Sequence, residues 1–200
     1  MTATRKIILH MSISLDGFFE GSERQIDWHL VDDELHRYVN EQLRPMGAFL
    51  SGRVTHELMV DFWPTADADP SNPAPVAEFA RIWRDMPKIV FSRTLQKAEW
   101  TEWNTTVKRD VVVAEIEALK AEPGGDLVLG GADLAATFRR HDLIDEYRLF
   151  VHPVLLGEGH LLFPAGPAAH EPTCKLRLIE TRTFGNGVVL LRHERVRTPA

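Results

Sequence analysis

The chain has 200 residues, a length that suits one domain over residues 1–200 with a substantial core. Its 44% hydrophobic and 26% charged residues are typical of a soluble globular protein, and a net charge of −6 argues against a nucleic-acid surface. No apolar run approaches the roughly 20 residues that span a bilayer. A single cysteine excludes an internal disulfide. The N-terminus has no signal-peptide pattern, so the expected location is the cytoplasm.

Strand and helix patterns alternate through the first half of the chain. They predict, in order, a strand at 6–13, an extended segment at 18–21, a helix at 32–43, a strand at 48–50, helices at 54–60 and 76–84, and a strand at 88–91. The turn former Asp16-Gly17 ends the first strand. The proline-rich segment 63–75 is interpreted as a loop that could cover a substrate.

The second half begins with the same alternation and ends in strands alone. The predicted elements are a helix at 111–120, a strand at 127–129, a helix at 133–140, strands at 146–151 and 161–163, and a hairpin of strands 175–184 and 188–195. An Asn-Gly step at Asn186 is a strong hairpin signal. This order predicts an α/β fold with a mixed, mostly parallel sheet and an antiparallel edge.

The segment Leu127-Val128-Leu129-Gly130-Gly131-Ala132-Asp133-Leu134 carries the strongest functional signal. An apolar strand runs into a glycine pair, and a helical pattern begins at once. Backbone N–H groups and the positive end of a helix dipole would therefore point at one place, and glycines let a phosphate approach the main chain. The alternative interpretation is a tight strand–helix connection with no ligand.

Two more strand ends carry polar groups suited to phosphate. Ser51-Gly52-Arg53-Val54-Thr55 offers a glycine turn, a forked cation and a hydroxyl, and Phe91-Ser92-Arg93-Thr94 follows a buried strand. Ligands of open α/β sheets lie outside the carboxyl ends of strands. The patterns G-x-G-x-x-G and G-x-x-x-x-G-K-[ST] are both absent, so an ordinary dinucleotide-binding domain and a P-loop are excluded.

The opening Met11-Ser12-Ile13-Ser14-Leu15-Asp16-Gly17-Phe18 resembles that of the dihydrofolate reductase-like superfamily. More closely it resembles the branch related to the reductase domain of riboflavin biosynthesis, the RibD C-terminal domain. The remaining landmarks fall in that family's order: Gly52-Arg53-x-Thr55, Phe91-Ser92-Arg93, Gly130-Gly131-Ala132-x-Leu134, and His152-Pro153-Val154-Leu155-Leu156-Gly157-x-Gly159. The resemblance spans roughly residues 5–195 and implies a three-layer fold with about eight strands and a C-terminal antiparallel hairpin.

The same resemblance implies NADPH as the cofactor. Gly52, Arg53 and Thr55 would flank its pyrophosphate from one side, and Gly130, Gly131, Ala132 and Leu134 from the other. Ser92 and Arg93 would lie by the adenosine ribose and its 2′-phosphate. The chemistry agrees, since an arginine fork at the ribose is what separates NADP from NAD binding. The histidine spacings match no metal motif, so no metal is expected.

Two carboxylates are candidates for the catalytic group. Asp33 follows Trp28 at the start of the first long helix, where dihydrofolate reductases place a carboxylate, and Asp32 beside it is the weaker choice. Asp16 matches a residue that the family places on the substrate side of the cleft. Each has a plain structural alternative, because aspartates cap helices and form Asp-Gly turns.

These features predict a reductase, in a homodimer as in riboflavin-type relatives, that transfers hydride from NADPH to a small heterocyclic or ribosylamino substrate. The substrate would resemble 5-amino-6-(5-phosphoribosylamino)uracil or dihydrofolate. One alternative is a catalytically silent NADP(H)-binding sensor or scaffold. Another is a promiscuous reductase of quinones or carbonyls.

Overall fold

The structure, a computed structural model, describes residues 4–95, 102–164 and 173–197. The strands are β1 (Ile7–Ser14), β2 (Phe18–Glu20), β3 (Ala48–Gly52), β4 (Lys88–Phe91), β5 (Thr105–Lys108), β6 (Leu127–Gly130), β7 (Glu146–His152), β8 (His160–Leu161), β9 (Leu176–Thr183) and β10 (Val189–Arg195). The α-helices are α1 (Asp33–Leu43), α2 (Arg53–Val60), α3 (Ala74–Asp85), α4 (Val113–Ala121) and α5 (Ala132–Arg140).

Eight of these strands form one sheet in the order β5-β4-β3-β6-β1-β7-β10-β9. The six strands from β5 to β7 are parallel, and β10 is antiparallel to both β7 and β9. The predicted mixed, mostly parallel sheet with a C-terminal antiparallel hairpin is therefore confirmed. Because parallel strands end at the same edge, the segments after β1, β3, β4, β6 and β7 all lie along one edge of the sheet.

Helices cover both faces of the sheet, which gives the predicted three layers. On one face, Ile116 of α4 and Phe138 of α5 pack with strand residues such as Leu9 and Leu129. On the other face, α1 packs on β7 and β10, and its Leu43 meets α3 and Val128 of β6. Burying these apolar side chains supplies the main stabilising contribution, at about 25 cal/mol per Å² of apolar area.

Three local predictions differ from the structure. The strand β5 was not predicted, because Thr105–Lys108 is short, half polar and pairs only with β4. The predicted strand at 161–163 is a two-residue pair with β2, outside the main sheet. The segment 63–75 contains a 3₁₀ turn at Trp63–Thr65, and α3 begins at Ala74 because Pro75 suits a helix's first turn.

The longest described helix, α3, has 12 residues. Among the described residues, no helix has the length and apolar character needed to cross a membrane.

Candidate cofactor and substrate site

The structure brings the three polar strand ends together. The strands that carry them, β4, β3 and β6, are consecutive neighbours in the sheet. Gly52 lies beside Phe91 in the pairing of β3 with β4, and Ser51 lies beside Gly130 in the pairing of β3 with β6. Motifs that are up to 80 residues apart in the chain therefore line one short stretch of the carboxyl edge.

The glycines at this edge leave the main chain uncovered by side chains of their own, and we call this group, Gly52, Gly130 and Gly131, the glycine surface. Gly131 has φ +90°, and a Cβ built on it would lie 2.6 Å from the hydroxyl oxygen of Thr55. A Cβ on Gly52 would meet nothing within 4 Å, so the space beside it is open. Gly52 and Gly131 are also the N-cap residues of α2 and α5, and neither cap has a side-chain hydrogen bond. Helix N-termini of this kind present backbone N–H groups that commonly bind anions.

The N–H of Gly131 donates to the thioether sulfur of Met11 at 3.3 Å. Sulfur is a weak acceptor, so a phosphate oxygen would be the better partner for this donor.

Ala132 and Leu134 lie behind this surface. Ala132 is the first residue of α5, and both side chains are buried. Leu134 packs in the core beside Phe138 and Leu129. Leu134 therefore positions α5 against the sheet rather than presenting a side chain at the ligand surface.

Both candidate arginines already have carboxylate partners. Nη1 of Arg53 donates to both carboxylate oxygens of Glu57, at 2.9 Å each. Nε of Arg93, a side chain that is 75% exposed, donates to Asp110 at 2.5 Å. Exposed pairs of this kind contribute little stability, so a phosphate group can displace the carboxylates.

Ser92 holds the turn that carries Arg93. Its hydroxyl oxygen accepts from the N–H groups of Thr94 at 3.2 Å and Leu95 at 3.1 Å. Ser92 therefore shapes the turn, whereas the exposed side chain of Arg93 extends from it and pairs with Asp110.

The face of the sheet that carries α1 and α2 also carries polar side chains of β1. The helix α1 lies over β7 and β10, and α2 lies against β3 and β4, so these two helices lie on either side of β6 and β1 in the strand order. His10 of β1 stacks on Phe150 of β7 with 4.9 Å between ring centroids. Since side chains alternate along a strand, Ser12 faces the same side as His10. Sequence reasoning missed both residues, although their alternation with buried Leu9 was a visible signal.

The two histidines on this face of the sheet, His10 and His36, are held neutral. Burial, and secondarily the Arg148 guanidinium, lowers the pKa of His10 to about 3. Burial also lowers the pKa of His36 on α1, whose ring lies 6.0 Å from Trp63 and 5.9 Å from Phe79. Neutral imidazoles offer one donor and one acceptor each, and they are poor acids at neutral pH.

A second imidazole pair anchors the segment that leads into α1. His29 and His152 stack with 5.1 Å between centroids, and Trp28 meets both rings edge-on. Nδ1 of His152 accepts the N–H of Leu30 at 3.1 Å, which fixes its proton on Nε2. Burial, with His29 as the second cause, lowers the pKa of His152 to about 4. His152 is thus an anchor for this loop.

Asp16 joins two loops at the carboxyl edge. Its carboxylate accepts from the Ser14 hydroxyl at 2.6 Å and from the N–H groups of Leu156 at 3.2 Å and Gly157 at 2.8 Å. These hydrogen bonds, the Ser14 hydroxyl first, lower the pKa of Asp16. Asp16 therefore has the geometry of an ionised structural residue rather than of a proton donor.

Asp33 lies at the exposed start of α1. Its side chain is 56% exposed and pairs with Arg37 one turn along α1 at 2.7 Å. Asp32 caps the helix by accepting the N–H of Leu35 at 2.9 Å. The structure therefore agrees with the alternative interpretation of Asp32 and Asp33, in which aspartates at this position stabilise the start of the helix.

We expect Asp16→Ala and Asp33→Ala to differ clearly in stability. Removing the Asp16 carboxylate leaves two backbone donors and a hydroxyl without their acceptor, so the midpoint of thermal unfolding falls by several degrees. Removing Asp33 breaks only an exposed pair, so the midpoint stays within about 1–2 °C. Thermal unfolding followed by circular dichroism measures both midpoints. An Asp16 variant as stable as the Asp33 variant would contradict the structural role of the Asp16 carboxylate.

In the described ranges, no three His, Cys, Asp or Glu side chains lie close enough together to hold a metal ion.

The architecture is that of an α/β protein with a mixed, mostly parallel sheet, and comparison with known proteins identifies its family. The chain belongs to the RibD C-terminal domain family, whose model matches residues 5–190. It is 34% identical over 187 residues to the uncharacterized protein YyaP of Bacillus subtilis, and the match covers 92% of each chain. It is 29% identical over 190 residues to YwjB of the same organism, over 93% of this chain and 96% of YwjB. The resemblance drawn from the motifs is confirmed.

Solved structures show the same fold. A putative riboflavin biosynthesis protein from Shewanella has a TM-score of 0.70 and 21% identity, covering 96% of this chain and 99% of its own. The deaminase and 5-amino-6-(5-phosphoribosylamino)uracil reductase of Thermotoga maritima has a TM-score of 0.62 and 18% identity, covering 96% of this chain. The match spans 57% of that bifunctional protein. The chain therefore shares the fold of these two proteins.

Proposed function

We propose that this protein is an NADPH-dependent reductase that transfers hydride to a small heterocyclic or ribosylamino substrate. The observation that carries the proposal is the glycine surface formed where β3 and β6 end. Two helix N-termini converge there, and open space lies beside Gly52. A dinucleotide pyrophosphate fits the charge and the shape of such a surface.

The residues present suit the rest of the cofactor as well. Arg53 and Arg93 are exposed guanidiniums on either side of the β3–β4 edge, and each can exchange its carboxylate partner for a phosphate. The bound nicotinamide supplies the hydride, while the protein contributes orientation and exclusion of water. Since β1 lies beside β6 in the sheet, a substrate bound over the polar side chains of β1 would lie next to a cofactor held at the glycine pair.

Arg93→Ala is expected to weaken NADPH binding by roughly 30-fold, because a charge-assisted contact to the 2′-phosphate is lost. NADH lacks that phosphate, so its affinity should change less than about threefold. Parallel fluorescence titrations with the two cofactors measure the difference.

Asp110→Asn provides the matched control for this position. It removes the carboxylate that pairs with Arg93 and should leave NADPH binding equal or tighter. Equal losses of NADPH and NADH affinity in Arg93→Ala would mean that Arg93 does not read the 2′-phosphate.

A silent NADP(H)-binding sensor is the second candidate, and the lowered pKa of His10 favours it. With a pKa of about 3, His10 does not serve as an acid at neutral pH, and Asp16 and Asp33 are engaged elsewhere. Loss of NADPH absorbance at 340 nm with aminopyrimidine, pterin and quinone acceptors separates the candidates. Turnover of any acceptor supports the reductase, whereas binding without turnover across the panel supports the sensor.

We also propose that the protein is a cytoplasmic homodimer of one domain. Leu176, Leu178 and Ile179 lie exposed on the edge strand β9, where unpaired backbone and apolar side chains invite association. Sedimentation equilibrium should give twice the chain mass of 22.7 kDa, and Leu178→Glu should shift the protein toward monomer.

A further inference from the structure

We infer that Met11 is a redox switch for the proposed cofactor site: a peroxide converts its thioether to the sulfoxide, whose oxygen then accepts the N–H of Gly131 in place of a cofactor phosphate. This inference rests on the proposed function, because it names a regulation of the same glycine surface. It is carried by a contact between a backbone donor of that surface and a sulfur atom, and by the position of Met11 at the rim of the core.

The first observation is the contact itself. The backbone N–H of Gly131, the N-cap residue of α5, donates to Sδ of Met11 at 3.3 Å. The sheet fixes this contact, because Leu9 of β1 pairs in parallel with Leu129 of β6, and Met11 and Gly131 lie two residues further along each chain. The thioether therefore occupies a donor that a phosphate oxygen of the cofactor would use.

The second observation concerns depth. Ile7 and Leu9 precede Met11 on the same face of β1 and are 0% exposed, whereas Met11 is only partly buried against their core cluster. Met11 thus lies at the rim of the core, within reach of a small oxidant such as hydrogen peroxide. Met46 and Met59 are also partly buried, but they pack against the core cluster on the opposite face of the sheet. Of these three methionines, Met11 is the one whose oxidation acts on the glycine surface.

The chemical step is a transfer of one oxygen atom from hydrogen peroxide to sulfur. A lone pair of Sδ attacks one peroxide oxygen, the S–O bond forms as the O–O bond breaks, and the proton of the transferred oxygen moves to the departing oxygen, which leaves as water. Sulfur is oxidised by two electrons and the peroxide is reduced by two. The weak sulfur acceptor is thereby replaced by a polar oxygen, and rotation of the flexible methionine side chain lets this oxygen accept the Gly131 N–H.

The expected effect is on the pyrophosphate, which NADPH and NADH share. Oxidation should weaken the binding of both cofactors by a similar factor, about tenfold or more, because an oxygen fills the phosphate position and a charge-assisted contact is lost. This pattern separates the switch from Arg93→Ala, which is expected to act mainly on NADPH.

The test treats the full chain with hydrogen peroxide, identifies the sulfoxide by mass spectrometry of peptides, and titrates NADPH and NADH by fluorescence. Met11→Leu keeps the side-chain volume and offers no sulfur, so peroxide should change its NADPH affinity less than about twofold. Met59→Leu is the matched control, because it removes another partly buried methionine and should still lose affinity as the wild type does. Methionine sulfoxide reductases for both epimers should restore the affinity of the oxidised wild type, a measurement that needs no variant.

Unchanged affinity in protein that carries Met11 sulfoxide, an equal loss in peroxide-treated Met11→Leu, or no sulfoxide at Met11 would overturn the inference. A failure of the untreated wild-type protein to bind NADPH would instead overturn the proposed function. The two failures are therefore distinguishable.

Discussion

Gly52→Val should reduce NADPH affinity by about 100-fold while the protein stays folded. The backbone of Gly52 has φ −81° and ψ 171°, a conformation that valine adopts readily. The new side chain would enter space that holds no protein atom within 4 Å of its Cβ, which is the space assigned to the pyrophosphate. Steric exclusion there would break the hydrogen bonds to both helix N-termini.

Gly52→Ala is the matched control, because it changes the same backbone position with a smaller side chain and should lose less affinity. Replacing an N-cap glycine costs up to about 1 kcal/mol, so both variants should unfold close to the wild-type temperature. Gly131 is unsuitable for this test, since its φ of +90° and its contact with Thr55 mean that any side chain disturbs the fold. Wild-type NADPH affinity in Gly52→Val would show that the pyrophosphate does not bind at this surface.

Lowering the pH from 7.5 to 4 should cost this protein on the order of 3 kcal/mol of unfolding free energy through His152 alone. Its folded-state pKa of about 4 lies below the ordinary value of 6.5, so its stabilising effect is complete above pH 6.5 and is lost as the pH falls toward 4. Protonation places a second donor on Nδ1, directly against the N–H of Leu30. The anchor of the segment before α1 is then broken.

His152→Asn is the comparison for this pH effect. The asparagine carbonyl can still accept the Leu30 N–H, but the side chain does not titrate. Urea unfolding at pH 7.5 and pH 4 should therefore show a loss of unfolding free energy that is smaller by roughly 3 kcal/mol in the variant. Identical losses in the two proteins would show that protonation of His152 does not destabilise the folded state.

The motifs predicted the fold and the meeting of the polar strand ends at one edge of the sheet, because both depend on short local patterns. A strand followed by glycines and a helix can be recognised in the sequence at Gly130-Gly131. Parallel pairing then places Gly52 and Ser92 at the same edge. The contact between Thr55 and Gly131 could not be read from the sequence, since it depends on the register of β3 against β6. The short polar edge strand β5 lacked a pattern of its own.

The substrate side was less predictable, for a physical reason. Asp33 stands at a helix start, where the sequence is compatible with a cap, an exposed ion pair or a catalytic acid, and only packing selects among them. His10 lies in an apolar strand, where its contact with Phe150 and the neutralised Arg148 appear only once β1 and β7 are paired. Its altered pKa is a property of the assembled sheet.

The most direct test of the central claim is a titration of the purified protein with NADPH and with NADH. Tryptophan quenching and nicotinamide emission would follow the two titrations under the same conditions. The site described here predicts saturable binding with a clear preference for NADPH, because Arg93 can meet the 2′-phosphate. The absence of binding by either nucleotide would contradict the assignment of the glycine surface to a dinucleotide and leave the fold without its proposed cofactor.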